Sequence, residues 1–142
     1  MIRKVDDSIS VAPQIAVEDV AAIRAAGFTA IVNNRPDDEE GGQPAGDAIR
    51  DAALAAGLTY AAIPITHAGF SYPQIAAMAD VLAGADGPVL AFCRSGTRSC
   101  NLWALAQAKQ GADPDDLIAK GADAGYNLEG IRPLLDQLAA QA

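Results

Sequence analysis

The sequence has few of the residues that would build a metal centre or a disulfide framework. Its 142 residues include two cysteines and one histidine. Two cysteines in a domain of this size argue against a disulfide scaffold. Even with His67 added, Cys93 and Cys100 fall short of the four ligands of a structural zinc site. We therefore expect no metal and no other cofactor.

Positive charge and long apolar stretches are also scarce. Ten Lys and Arg stand against 18 Asp and Glu, a net charge of −8, and no basic block occurs. Nucleic acid and anionic membrane surfaces are therefore not expected partners. No stretch approaches the ~20 apolar residues of a membrane span, and the first ten residues contain no apolar signal-peptide core. We expect a cytoplasmic protein, and the sequence does not indicate its oligomeric state.

The residues that are present can build one hydrophobic core. About half of them are apolar, at 51% of the chain, and alanine dominates. This length fits one domain, and neither a linker nor an internal repeat divides the sequence. We therefore expect residues 1–142 to form a single domain.

Short apolar runs alternate with stretches in which apolar residues recur every three or four positions. This alternation predicts a small, mainly parallel sheet of four to five strands flanked by helices, an α/β fold. The predicted strands cover residues 8–12, 28–33, 59–65 and 88–93, and the predicted helices cover 17–26, 45–56, 73–83, 99–110, 114–122 and 127–140.

Polar residues follow three of the predicted strands. Asn34 and Arg35 come after the second strand, His67 after the third and Cys93 at the end of the fourth. Parallel sheets bind ligands outside the carboxyl ends of their strands. We therefore expect these side chains to meet at one edge of the sheet.

Cys93 begins a short loop, Cys-Arg-Ser-Gly-Thr-Arg-Ser, between a strand and a helix. Backbone N–H groups at a helix N-terminus, with a glycine that permits a tight turn, form a cradle for an anion. Nearby positive charge favours the thiolate over the thiol. We interpret Cys93 as a nucleophile, because two arginines are poor neighbours for an inert core thiol. The anion-binding loop would comprise Arg94, Ser95, Gly96, Thr97 and Ser99.

The order of strand, cysteine, Arg-Ser-Gly-Thr-Arg, serine and helix resembles the loops of cysteine-dependent phosphatases and rhodaneses. NNRPDDEE, YAAIPI and AFCRSGTRS, in this order, are similar to the bacterial beta-lactamase-hydrolase-like phosphatase domain family. Members of that family are described both as phosphatases and as sulfur transferases. The resemblance implies a fold similar to dual-specificity phosphatases. It also implies that Arg98 is the loop arginine that binds an oxyanion, while Arg94 faces the incoming substrate.

Two departures from the phosphatase pattern favour sulfur transfer. Tyrosine phosphatases place five residues between cysteine and arginine, whereas four separate Cys93 from Arg98. A smaller ring of amides suits a persulfide sulfur better than a phosphoryl group. The segment after the third strand, THAGFSYPQ, also contains no carboxylate to act as the general acid of a phosphatase. His67 is one candidate for that role, and Asp37 or Asp38 could reach the site from a neighbouring loop.

The sequence therefore favours a sulfurtransferase in which Cys93 carries sulfane sulfur as a persulfide. Its small anionic substrate would be thiosulfate or a related donor, and a thiol or cyanide would accept the sulfur. Two alternatives stay open: a phosphatase that forms a cysteinyl-phosphate from a phosphate ester, and a non-catalytic anion- or partner-binding domain with a redox-sensing thiol. Cys100 is interpreted as a core residue, with a resolving thiol as the alternative. The predicted catalytic residues are Cys93, Arg98 and His67, supported by Asn34, Arg35 and Asp37.

Overall fold

A computed structural model describes all 142 residues, and its elements follow the predicted alternation. Short 3-10 turns, Val17–Asp19 and Glu129–Ile131, precede the first and last helices. The strands are β1 Arg3–Lys4, β2 Ile9–Ala12, β3 Ala30–Asn33, β4 Thr59–Ala62 and β5 Val89–Phe92; the helices are α1 Val20–Ala25, α2 Gly46–Ala55, α3 Tyr72–Gly84, α4 Thr97–Lys109, α5 Pro114–Asp123 and α6 Arg132–Ala140.

The five strands form one mainly parallel sheet in the order β1-β2-β5-β3-β4. β5 lies between β2 and β3 and pairs with both in parallel, and only β1 is antiparallel. The predicted α/β class is thereby confirmed. The two-residue β1 was not predicted, because Arg3 and Lys4 are exposed and show no apolar pattern. In this register the carboxyl ends of β2, β5 and β3 lie side by side, which brings Cys93 to the middle of that edge.

Helices cover both faces of the sheet, so the central strands have no solvated face. Every residue of β2, β3 and β5 is buried, whereas the edge strand β4 is partly exposed. Side chains of α3, α4, α5 and α6 pack on one face, and those of α1 and α2 pack on the other. Such double coverage explains why the central strand β5, Val-Leu-Ala-Phe, is a continuous apolar run.

The helix that follows the cysteine loop begins at Thr97, two residues earlier than predicted. Gly96 precedes it with φ of 91°, in the left-handed region, and so turns the chain sharply from the loop into the helix. None of the helices is both long enough and apolar enough to cross a membrane.

Candidate active site

Cys93 lies directly after β5, at the middle of the carboxyl edge of the sheet. Its N–H donates to the carbonyl of Ala12 at 3.3 Å, which ties the start of the loop to β2. The backbone N–H of Gly96 donates to Cys93 Sγ at 3.1 Å. The cysteine is fully buried. The sulfur therefore lies under the loop, beside a backbone amide that can stabilise negative charge on it.

Tyr126 holds the loop in this shape. Its hydroxyl donates to the carbonyl of Ser95 at 3.2 Å, and a Cβ added to Gly96 would collide with the same hydroxyl. Any side chain at position 96 is therefore excluded by both the backbone conformation and the neighbouring ring. The sequence carries no signal for this contact, because Tyr126 is separated from the loop by the whole of α4 and α5.

Arg98 extends from the first turn of α4 to a carboxylate on the loop between β3 and α2. Its Nη1 donates to Glu39 Oε2 at 2.7 Å and to the carbonyl of Ile65 at 2.8 Å, and its Nη2 donates to Glu39 Oε1 at 2.9 Å. The hydrogen bonds from Arg98, together with a further one from Arg35, lower the pKa of Glu39 from 4.5 to about 2. Glu39 in turn raises the pKa of Arg98, and Cys93 contributes in the same direction. The pair is therefore fully ionised at neutral pH.

Arg35 lies buried behind Glu39, where its positive charge supports the same carboxylate. Its Nε donates to Glu39 Oε1 at 2.9 Å and its Nη1 donates to Gln14 Oε1 at 3.1 Å. Its Nη2 is buried without a hydrogen-bond partner, 3.7 Å from Glu40 Oε1. The exposed Arg94 pairs with Glu40 at 3.0 Å. Arg35, Arg94 and Arg98 thus converge on two neighbouring glutamates.

Asn34 connects three elements behind the cysteine. The hydroxyl of Ser99 donates to Asn34 Oδ1 at 2.8 Å, and Asn34 Nδ2 donates to the carbonyl of Ile63 at 2.9 Å. The backbone N–H of Asn34 donates to the carbonyl of Phe92 at 2.8 Å. Asn34 and Ser99 are both fully buried. These bonds fix the start of α4 relative to the ends of β3 and β5, and therefore help to position the loop.

An open cavity of about 540 Å³ lies above the loop. His67 is exposed on its rim, and the hydroxyls of Ser95 and Thr97 hydrogen-bond to each other at 3.0 Å on the exposed side of the loop. Residues from three separate segments thus meet at one edge of the sheet. The cavity is lined by Pro36, Glu39, Thr66, His67, Arg94 and Arg98.

Asp37 and Asp38 do not occupy the positions that the sequence suggested. Asp37 Oδ1 accepts a hydrogen bond from the N–H of Gly46 at 2.8 Å, so Asp37 caps the start of α2 instead of supporting the cysteine loop. Asp38 is exposed at a turn with φ of 62°. This turn brings the next carboxylate, Glu39, to the cavity. The spacing of four between Arg35 and Glu39 was the available signal for Glu39, because the two residues form an i,i+4 pair.

Cys100 is the second thiol of this region, on the buried face of α4. Burial, reinforced by nearby Cys93, raises the pKa of its thiol to about 12. Both cysteines are free thiols. Cys100 therefore remains protonated at neutral pH, as expected for a core residue.

Comparison with known proteins gives matches across most of the chain. The family model for the phosphatase-like domain of Beta-lactamase hydrolase-like protein matches residues 1–110. The Beta-lactamase hydrolase-like protein of Agrobacterium fabrum is 35% identical over 126 residues, which are 88% of this chain and 29% of the relative. The chain thus spans about a third of the length of the curated relatives that it matches.

Solved structures of phosphatases share the fold. The crystal structure of a candidate phosphatase, nma1982 from Neisseria meningitidis, is 34% identical with a TM-score of 0.82, covering 96% of this chain and 97% of that one. Tk-PTP is 18% identical with a TM-score of 0.73, covering 99% and 97%. P. aeruginosa TpbA, solved in complex with pTyr, is 15% identical with a TM-score of 0.60, covering 95% and 90%.

Proposed function

Because the chain belongs to the family of phosphatase-like domains found in Beta-lactamase hydrolase-like proteins, we propose that it is a cysteine-dependent phosphatase acting on a small phosphate monoester. The observation that carries the proposal is the sulfur of Cys93, which accepts a hydrogen bond from the Gly96 amide of its own loop, at the start of the helix that carries Arg98. An aryl phosphate such as pTyr, the ligand bound to TpbA, is the substrate class to test first. We further propose that residues 1–142 act as one domain.

The proposed reaction proceeds in two displacements at phosphorus. In the first, a lone pair of the Cys93 thiolate forms the S–P bond while the P–O bond to the leaving group breaks, and the departing oxygen takes a proton. In the second, water attacks phosphorus and loses a proton, and the S–P bond breaks with its electron pair returning to sulfur. Loop amides and Arg98 stabilise the charge on the equatorial oxygens throughout. The sum is hydrolysis of the ester to an alcohol and inorganic phosphate.

This proposal replaces sulfur transfer as the leading function. The family and the phosphatase neighbours favour phosphate chemistry, and one of the two sequence arguments for sulfur no longer holds. The segment after β4 still offers no carboxylate, but Glu39 reaches the cavity from the loop after β3. The four-residue spacing between Cys93 and Arg98 is the observation that keeps sulfurtransferase as the second candidate.

One set of assays separates these functions. Wild-type protein should hydrolyse an aryl phosphate, and Cys93→Ser should abolish turnover because serine at this position is a far weaker nucleophile. Cys100→Ser is the matched control, because it removes the buried thiol in the first turn of α4, and it should retain turnover. Intact-mass measurement after incubation with thiosulfate tests the sulfurtransferase alternative. A gain of one sulfur atom on wild type without phosphate release would replace the phosphatase proposal by sulfur transfer.

A further inference from the structure

Glu39 binds the terminal nitrogens of Arg98 that a substrate phosphate would also bind. Its two carboxylate oxygens accept from both terminal nitrogens of Arg98, at 2.7 and 2.9 Å. A phosphoryl group presents two oxygens to an arginine fork in the same bidentate arrangement. The carboxylate and a substrate phosphate therefore compete for the same N–H groups.

The nucleophile is fully buried and the Glu39–Arg98 ion pair is largely buried. Cys93 has no exposed surface, and only 23% of the Arg98 side chain and 20% of the Glu39 side chain are exposed. A phosphorus atom can therefore reach the sulfur only if some of the groups that bury it move. The bond between Glu39 Oε1 and Arg35 Nε gives the carboxylate a second attachment, so that it stays at the cavity when Arg98 releases it.

The direction of the reaction places the leaving group near the same carboxylate. In-line displacement at phosphorus puts the departing oxygen on the side opposite the attacking sulfur. Cys93 is buried and Arg94 and Arg98 of its loop segment line the cavity, so a phosphate held by these arginines would direct that oxygen towards the cavity. Glu39 is the one carboxylate among the residues that line this cavity. Glu40, its neighbour, is held by Arg94 on the exposed surface.

From this arrangement, and resting on the phosphatase function proposed above, we propose that Glu39 has two successive roles. It is the internal anion that substrate displaces from Arg98, and it is then the general acid that protonates the leaving oxygen.

The proton balance requires that substrate binding itself converts Glu39 into an acid. In the resting state hydrogen bonds from Arg98, and a further one from Arg35, lower the pKa of Glu39 to about 2, so the carboxylate carries no proton. Phosphate takes over the hydrogen bonds from Arg98 and brings negative charge, and both changes raise the pKa of the carboxyl even though Arg35 stays bonded to it. A phosphate monoester with its second pKa near ~6 can arrive as a monoanion. Its proton passes to Glu39, then to the leaving oxygen, and the attacking water later returns one to the carboxylate.

The two roles predict opposite effects of Glu39→Gln on binding and on catalysis. Inorganic phosphate, titrated by calorimetry, should bind this variant about tenfold more tightly than wild type, because its competitor has lost its charge. Turnover of phenyl phosphate should fall about 100-fold, the usual scale of general acid catalysis. Turnover of dinitrophenyl phosphate, whose leaving group needs no proton, should change little. Glu18→Gln removes an exposed carboxylate outside this site and should change neither binding nor turnover by more than about twofold.

Four results would contradict separate parts of the proposal. If Glu39→Gln slows all aryl phosphates by one common factor, Glu39 is not the proton donor. If His67→Gln alone shows the dependence on the leaving group, the acid is His67. Unchanged phosphate affinity in Glu39→Gln would overturn the displacement role. If wild type and Cys93→Ser hydrolyse aryl phosphates equally, the proposed function itself fails, and the acid role fails with it.

Discussion

Substitution of Gly96 by alanine tests whether the shape of the cysteine loop depends both on the backbone conformation of Gly96 and on its contact with Tyr126. Gly96 has φ of 91° and lies next to the Tyr126 side chain. An alanine there would strain the backbone, and its methyl group would collide with the Tyr126 hydroxyl. A left-handed conformation costs an L-residue about 1–2 kcal/mol, and overpacking costs about 1–3 kcal/mol. We therefore expect Gly96→Ala to lower the free energy of unfolding by about 2–5 kcal/mol.

Gly27→Ala supplies the control for the backbone contribution alone. Gly27 has φ of 100°, and a Cβ there would meet nothing within 4 Å. This variant should lose only about 1–2 kcal/mol. Combining Gly96→Ala with Tyr126→Phe should recover part of the packing cost, although the ring carbon Cζ, 3.1 Å from the added Cβ, would still be crowded. Tyr126→Phe by itself should cost about 1 kcal/mol, because the carbonyl of Ser95 loses its hydrogen bond.

Urea unfolding followed by the fluorescence of Trp103, the single and fully buried tryptophan, measures these differences. Aryl phosphate turnover of Gly96→Ala should also fall about 100-fold, because the amide that donates to Cys93 would be displaced. Tyr126 does not restrain position 96 if Gly96→Ala costs no more stability than Gly27→Ala, or if Tyr126→Phe recovers nothing in the double variant.

Two further predictions concern protons at the same site. The stability difference between wild type and Glu39→Gln should be full above pH 4.5 and vanish as the pH falls towards about 2, because the folded pKa of Glu39 lies below its ordinary value of 4.5. Acid titration of urea midpoints measures this, and a difference that persists at pH 2 would contradict the pairing with Arg98 and Arg35. Cys100, with its pKa raised to about 12 by burial, should resist iodoacetamide at pH 8 in folded protein and react in urea. Peptide mapping that finds equal labelling in both conditions would show that this thiol is accessible.

The local sequence determined the elements and the edge where the chemistry lies. Apolar runs and three- to four-residue spacing predicted the four parallel strands and the order of the helices, because these periodicities depend on neighbours in the chain. The rule that ligands bind at the carboxyl ends of parallel strands then brought Asn34, His67 and Cys93 to one edge. Among the strands, only the short β1 was not predicted, because its pairing with β2 uses backbone groups of two exposed basic residues.

The tertiary structure decided which charged groups face each other across that edge. Four acidic residues stand in the run Asp-Asp-Glu-Glu, and their types do not show which one reaches Arg98, 59 positions from Glu39. The left-handed turn at Asp38 makes that choice, and it turns Asp37 towards α2 instead. Tyr126 reaches the loop in the same non-local way. Periodicity specifies which face of a helix or strand is buried, but a contact between distant segments depends on how the loops turn, and only the folded chain fixes that.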